Sequence, residues 1–123
     1  VALGMLLAPV TAFLRMDSRW DEDKPGFNVG LYQNREAIRA IIRDDALVVV
    51  GNDRSTHVWL YHLRAKGWAF YNDDISVNEL AAMNKSGADY LITDSEQVKA
   101  MAGSSKHWQQ LQSFGSVSIY QLP

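Results

Sequence analysis

Apolar residues along this chain come in short runs. Each run is closed by an acidic, hydroxyl-bearing turn and followed by residues spaced as on a helix. The runs Ala46–Val50, Trp68–Tyr71 and Ala88–Ile92 read as strands. The turns after them are Gly51–Ser55, Asn72–Ser76 and Thr93–Ser95. Strands alternating with helices predict a parallel sheet. Leu47–Val50 is apolar without polar alternation, as in a central parallel strand buried on both faces. Ala37, Ile38, Ile41 and Ile42 form a helical stripe, which predicts a helix capped by Asn34 and running to Asp44. His57–Leu63 fits a strand or a buried helix; Ser55 as N-cap and Lys66-Gly67 as terminator favour the helix. Ser76 and Glu79 form a capping box that opens a helix ended by Gly87, and Asp94 opens a short helix through Val98 and Met101. Trp108–Phe114 and Val117–Leu122, separated by Gly115-Ser116, read as a hairpin. The expected fold is α/β: a three-layer, Rossmann-like domain with a mainly parallel sheet and a C-terminal antiparallel hairpin.

The first residues break this pattern. Val1–Leu14 is almost wholly apolar, too short for the roughly 20 residues that span a bilayer, and lacks the basic start of a signal peptide. With no initiator Met, it predicts either a piece cut from a larger protein or a buried helix kinked at Pro9. Arg15–Gly26 is polar and ends in a Pro-Gly turn signal. The expected division is therefore 1–27, an apolar segment and polar connector, and 28–123, the α/β domain.

Composition narrows the chemistry. With 123 residues the chain is most simply one domain with a real core. Twelve basic and 14 acidic residues give a formal charge of -2 with no Lys/Arg run, which argues against nucleic acid as a partner. The absence of cysteine excludes disulfides, thiolate-bound zinc and cysteine nucleophiles, and is silent on compartment.

In a sheet of this kind, ligands bind outside the carboxyl ends of the strands. That rule makes Asn52, Asp53, Ser55, Asp73 and Asp94 the candidate ligand-binding residues. The loop Gly51–Ser55 has one glycine and lacks both the dinucleotide fingerprint and the phosphate-loop motif. Asp53, Asp73, Asp74 and Asp94 could hold a hard cation, but carboxylates at helix starts are expected from capping alone. No metal or cofactor is expected. His57 and His62 are five apart, turned roughly 140° from each other on a helix, so they do not share a face. No Gly-x-Ser-x-Gly elbow occurs. Trp20–Asp23 reads as a solvated acidic loop, and Arg64 and Lys66 as cations at a helix end. No catalytic residue is assigned.

Four segments appear in order: Asn34–Arg39, Leu47–Asp53, Leu60–Trp68 and Gly87–Ile92. Their most distinctive pieces are Tyr-x-x-x-x-Lys-Gly-Trp and Gly-Ala-x-Tyr-Leu. Over roughly residues 30 to 122 the chain resembles the C-terminal soluble region of bacterial membrane glycosyltransferases. The group is that of the dolichyl-phosphate-mannose protein mannosyltransferases, which includes the aminoarabinose transferases. The resemblance implies a non-catalytic extracytoplasmic domain at the periplasmic face of the inner membrane. Its partners would be the membrane portion of the same parent chain and the acceptor or sugar-lipid head group. Sugar would be transferred from a polyprenyl-phosphate donor by the membrane part, and no catalytic residue carries over. Two other readings of the residues stand beside it. One is a free-standing small-molecule binding domain using the strand-end residues. The other is a metal-assisted hydrolase or phosphotransferase using Asp53 as nucleophile or metal ligand.

Overall fold

The computed structural model describes residues 8–14 and 28–123. The order of elements in 28–123 is α1 (Val29–Gln33), α2 (Arg35–Ile41), β1 (Leu47–Gly51), α3 (Val58–Leu63), β2 (Lys66–Ala69), α4 (Val77–Lys85), β3 (Ala88–Thr93), α5 (Glu96–Ser104), β4 (Gln109–Phe114) and β5 (Val117–Gln121). The five strands form one open sheet in the order β2-β1-β3-β5-β4. β1 pairs in parallel with β2 and β3, and β5 pairs antiparallel with β3 and β4. The sheet is thus parallel at one end and antiparallel at the other, with the hairpin where the sequence placed it.

Alternation of side chains along β1 divides the core. Val48 and Val50 join one buried cluster with Leu31, Ile38, Trp59 and Leu63 of α1, α2 and α3. Val49 points into a second cluster, with Leu80 of α4 and Val98 and Ala102 of α5. All three valines are fully buried. A strand with no polar face is what a central position demands, since each such side chain contributes about 1.5–3 kcal/mol when taken from water.

Several expected boundaries move. The helix expected from Asn34 to Asp44 is α2, which ends at Ile41, and a separate short helix, α1, precedes it. Asn28 starts α1, its side chain accepting from the Leu31 amide at 3.0 Å. Asn34 closes α1 instead of capping α2: its backbone amide and its side-chain Nδ2 both donate to the Gly30 carbonyl, at 3.1 and 2.8 Å. Helix α3 ends at Arg64, which takes the left-handed conformation with φ 49°. Gly67 therefore does not terminate a helix. It lies in β2 against β1, where a Cβ would stand 1.8 Å from the Val48 carbonyl oxygen, so only glycine fits. That contact starts β2 at Lys66 and leaves Phe70 and Tyr71 in the loop beyond it. Helix α4 opens with the expected capping box, Ser76 Oγ accepting from the Glu79 amide and Glu79 Oε2 from the Ser76 amide. Helix α5 is capped by Ser95, whose Oγ accepts from the Val98 amide at 3.1 Å, and not by Asp94.

The outermost strand β4 is almost wholly exposed and shifts register against β5 between Gln110 and Gln112. Residues 8–14 are helical, with Val10, Phe13 and Leu14 exposed, so this part is not the buried helix that the apolar run suggested. The acidic Trp20–Asp23 segment lies outside the described residues. No helix among the described residues is long and apolar enough to cross a membrane.

Candidate functional site

The chain leaves β1 for β2 on one side and later returns to β3 on the other. The carboxyl ends of β1 and β3 are therefore the point where strand order reverses, the place where open α/β sheets offer a crevice. Three of the expected site residues, Asn52, Asp73 and Asp94, meet there, and the protein's own groups occupy them.

Asp94, just past β3, reaches across to β1: its Oδ1 accepts from the Asn52 amide at 2.8 Å. Its Oδ2 accepts from Asn28 Nδ2 at 2.7 Å, and the same Asn28 nitrogen lies 3.1 Å from Ser116 Oγ in the hairpin turn. Asn52 then pairs reciprocally with Asp73 beyond β2. Its Nδ2 donates to Asp73 Oδ1 at 2.8 Å, and its Oδ1 accepts from the Asp73 amide at 2.9 Å. Ser95 Oγ donates to the same Asp73 oxygen. One continuous hydrogen-bonded strap thus ties α1, the three parallel strands, α5 and the hairpin together.

Local backbone makes the strap possible. Asn72 and Asp73 both have positive φ, 58° and 59°, and the Asp74 amide donates to the Tyr71 carbonyl at 3.1 Å. Two consecutive left-handed residues closed by such a bond are the signature of a type I′ turn, and Asn and Asp tolerate it best after glycine. Gly51 is required by its neighbour, because a Cβ there would meet the buried Phe70 ring at 2.7 Å. The Ser95 hydroxyl, and after it the Asn52 amide, hold the Asp73 carboxyl below its ordinary value, with partial desolvation opposing them.

Asp53 and Ser55 belong to a separate device. Asp53 is 4% exposed. Its Oδ1 accepts from the Ser55 amide and hydroxyl at 3.0 and 2.9 Å, and its Oδ2 from the Trp59 amide at 2.9 Å. Ser55 Oγ in turn accepts from the His57 and Val58 amides. Together they satisfy orphan N–H groups at the start of α3. Both Asp53 oxygens face inward.

The five expected residues therefore do not converge on one cavity. Only Asp73 lines the adjoining cleft of about 730 Å³, together with Tyr71, Asn72, Asp74, Glu79 and Gln97. Glu79 there is held below its ordinary value by the Ser76 hydroxyl and then the Ser76 amide. No group of three metal-binding side chains occurs among the described residues. His57 is exposed at the head of α3, whereas His62 is partly buried with its ring 5.1 Å from that of Tyr32, edge on.

Sequence reasoning missed Asn28 and Ser95, which complete the strap, and a second cleft of about 540 Å³. That cleft is lined by Tyr32, Arg35, Arg39, Tyr61, His62 and Arg64. The available signal was the spacing of Arg35 and Arg39, which puts both on one face of α2. No protein-family model matches this chain, and comparison with curated proteins and with solved structures likewise finds no match.

Proposed function

We propose that this chain is a non-catalytic extracytoplasmic domain of a polytopic membrane glycosyltransferase, of the dolichyl-phosphate-mannose protein mannosyltransferase type. The parent chain would transfer sugar from a polyprenyl-phosphate donor, and this domain would lie at the periplasmic face of the inner membrane. It would contact the membrane portion of its own chain and the acceptor or sugar-lipid head group. A three-layer, Rossmann-like arrangement belongs to the same proposal, and core residues on both faces of the sheet support it.

The observation that carries a non-catalytic role is the occupancy of the carboxyl edge. Asp53 and Asp94 each engage both carboxylate oxygens with the chain's own N–H and O–H groups, and Asp73 engages Oδ1 with Asn52 and Ser95. A catalytic carboxylate needs a free oxygen within reach of substrate. The exposed apolar side chains of Val10, Phe13 and Leu14 support a contact with a larger apolar partner. The test is genetic and enzymatic together. The native reading frame should encode membrane helices upstream of Val1, and deleting residues 28–123 from that protein should lower glycosyl transfer. A reading frame that encodes only these residues sinks the proposal, as does transfer activity in the isolated domain.

One observation favours a second reading, a free-standing small-molecule binding domain: the cleft beside Asp73 and Asp74 is large enough for a small ligand. A thermal-shift screen in which Asp74→Ala erases a ligand's effect would favour it, and a screen without hits would count against it.

A further inference from the structure

The acidic chain concentrates positive charge in one place. Arg35 and Arg39 stand one turn apart on α2, and Arg64 follows α3, so the three line one cleft only because α2 and α3 pack together. Among the described residues the one carboxylate that answers them is Glu36, 2.7 Å from Arg39 Nη1 and 3.9 Å from Arg35 Nε. Glu36 is 72% exposed, so it faces water more than the cleft. Arg64 makes no ion pair or side-chain hydrogen bond among the described residues. Among the described residues, three guanidiniums stand against one carboxylate, an excess of two positive charges.

The donors are also held ready. Arg35 lies 4.1 Å from the centre of the Tyr32 ring, and its Nη1 donates to the Tyr32 carbonyl at 2.7 Å. The Arg39 side chain is only 18% exposed, and its Nε is buried with no hydrogen-bond partner among the described residues. A buried guanidinium N–H left unmade costs about 1–3 kcal/mol, so the fold tolerates something there that stability alone does not explain. The exposed Tyr61 ring forms part of the rim.

We infer that this cleft binds a phosphate dianion, as a phosphomonoester or the end of a diphosphate, between Arg35, Arg39 and Arg64. Planar guanidiniums match phosphate oxygens in pairs, and a double negative charge matches the imbalance better than a carboxylate does. The cleft volume exceeds that of phosphate alone and leaves room for an organic group against Tyr61. His62 reports the field of the site. Burial, then Arg35 and Arg39, push its imidazole below the ordinary value, with Asp53 opposing. A bound dianion cancels the arginine contribution and raises it again. This inference does not rest on the membrane-enzyme reading, and either can fail without the other.

The test follows the His62 ring resonances by NMR in the 123-residue chain, with the assignment fixed by His62→Gln. Sodium pyrophosphate is titrated against sodium chloride at matched ionic strength. The expected result is a saturable His62 shift with pyrophosphate only, and a His62 titration midpoint moved to higher pH. Binding should weaken at least ~10-fold in Arg39→Gln, as loss of one charge-assisted pair requires. It should weaken several-fold in Arg64→Gly, whose exposed side chain can be removed without loss of folding. Vesicles of phosphatidic acid in phosphatidylcholine provide a second arm. Vesicle binding displaced by pyrophosphate assigns the phosphate to a lipid head group, and pyrophosphate binding without vesicle binding assigns it to a free ligand. No saturation by either probe up to ~10 mM overturns the inference, since that excludes affinity in any useful range. Equal binding by wild type and Arg64→Gly overturns it too, as does vesicle binding that pyrophosphate does not displace.

Discussion

The carboxyl edge of the sheet and the arginine cleft treat polar groups in opposite ways. At the edge, Asn28, Asn52, Asp73, Asp94 and Ser95 each find partners within the chain. In the cleft, among the described residues, guanidiniums outnumber the carboxylate near them, and a buried Arg39 nitrogen has no partner. A saturated network fixes geometry, because every bond lost leaves another group stranded. An unsaturated cluster costs stability and holds capacity for an outside partner. Position in a known fold class pointed to the edge, whereas the count of unmatched groups points to the cleft.

The contrast can be broken by mutation. Asp53→Ala should have the largest effect, about 3 kcal/mol less stable by urea denaturation, because the buried Trp59 amide is left without an acceptor and the Ser55 amide and hydroxyl lose theirs. A near-neutral Asp53→Ala would remove the claim that this carboxylate is a structural cap. Asp94→Ala should cost about 1.5–2 kcal/mol, since the Asn52 amide and Asn28 side chain both lose their acceptor. In a double-mutant cycle with Asn28→Ala the two should couple by about 1 kcal/mol; strict additivity would mean that the strap does not act as a unit. Arg64→Gly should go the other way and stabilise by about 0.5–1 kcal/mol, because glycine takes φ 49° without the steric cost. A destabilised Arg64→Gly would mean that the arginine serves the fold and not a ligand.

The smallest expected effect is on pH dependence. The His62 imidazole sits below its ordinary value of 6.5 in the folded chain, so the unfolded chain binds its proton first as pH falls. Stability from this group is complete above 6.5 and is lost as pH drops from there through the folded value. Among the described residues the groups acting on it are Arg35 and Arg39 of α2 and Asp53, with the Tyr32 and Tyr61 rings against it. Melting temperature should therefore fall between pH 7 and 5, less steeply in His62→Gln and in the presence of pyrophosphate. A pH slope that His62→Gln leaves unchanged would assign the effect to other groups. Below pH 4.5 a second loss should begin, from Asp73 and Glu79, whose carboxyls are held below 3.8 and 4.5.

Features decided by near neighbours were legible in the sequence. The apolar burst of β1, the Ser76–Glu79 capping box and the Gly115 turn of the hairpin all depend on residues within a few positions of each other. Other features depend on a distant surface. β2 begins at Lys66 because Gly67 must lie against Val48, a contact made across strands. Asp94 looked like a cap, and Ser95 caps instead, because Asp94 is drawn to Asn52 and Asn28, 42 and 66 positions away. The arginine cleft was hidden for the same reason. Arg64 read as an ordinary cation at a helix end until α3 packed beside α2.

Strand β4 carries a consequence for association between molecules. It exposes Gln109, Gln110 and Gln112 and carries no charge, a composition that elsewhere invites one sheet to add to another. The register break at Leu111 removes that opportunity, because a bulged strand twists away from the straight, evenly spaced row of donors and acceptors that an incoming strand must match. A single extra residue at the rim thus works against strand addition, as a row of lysines does in other sheets.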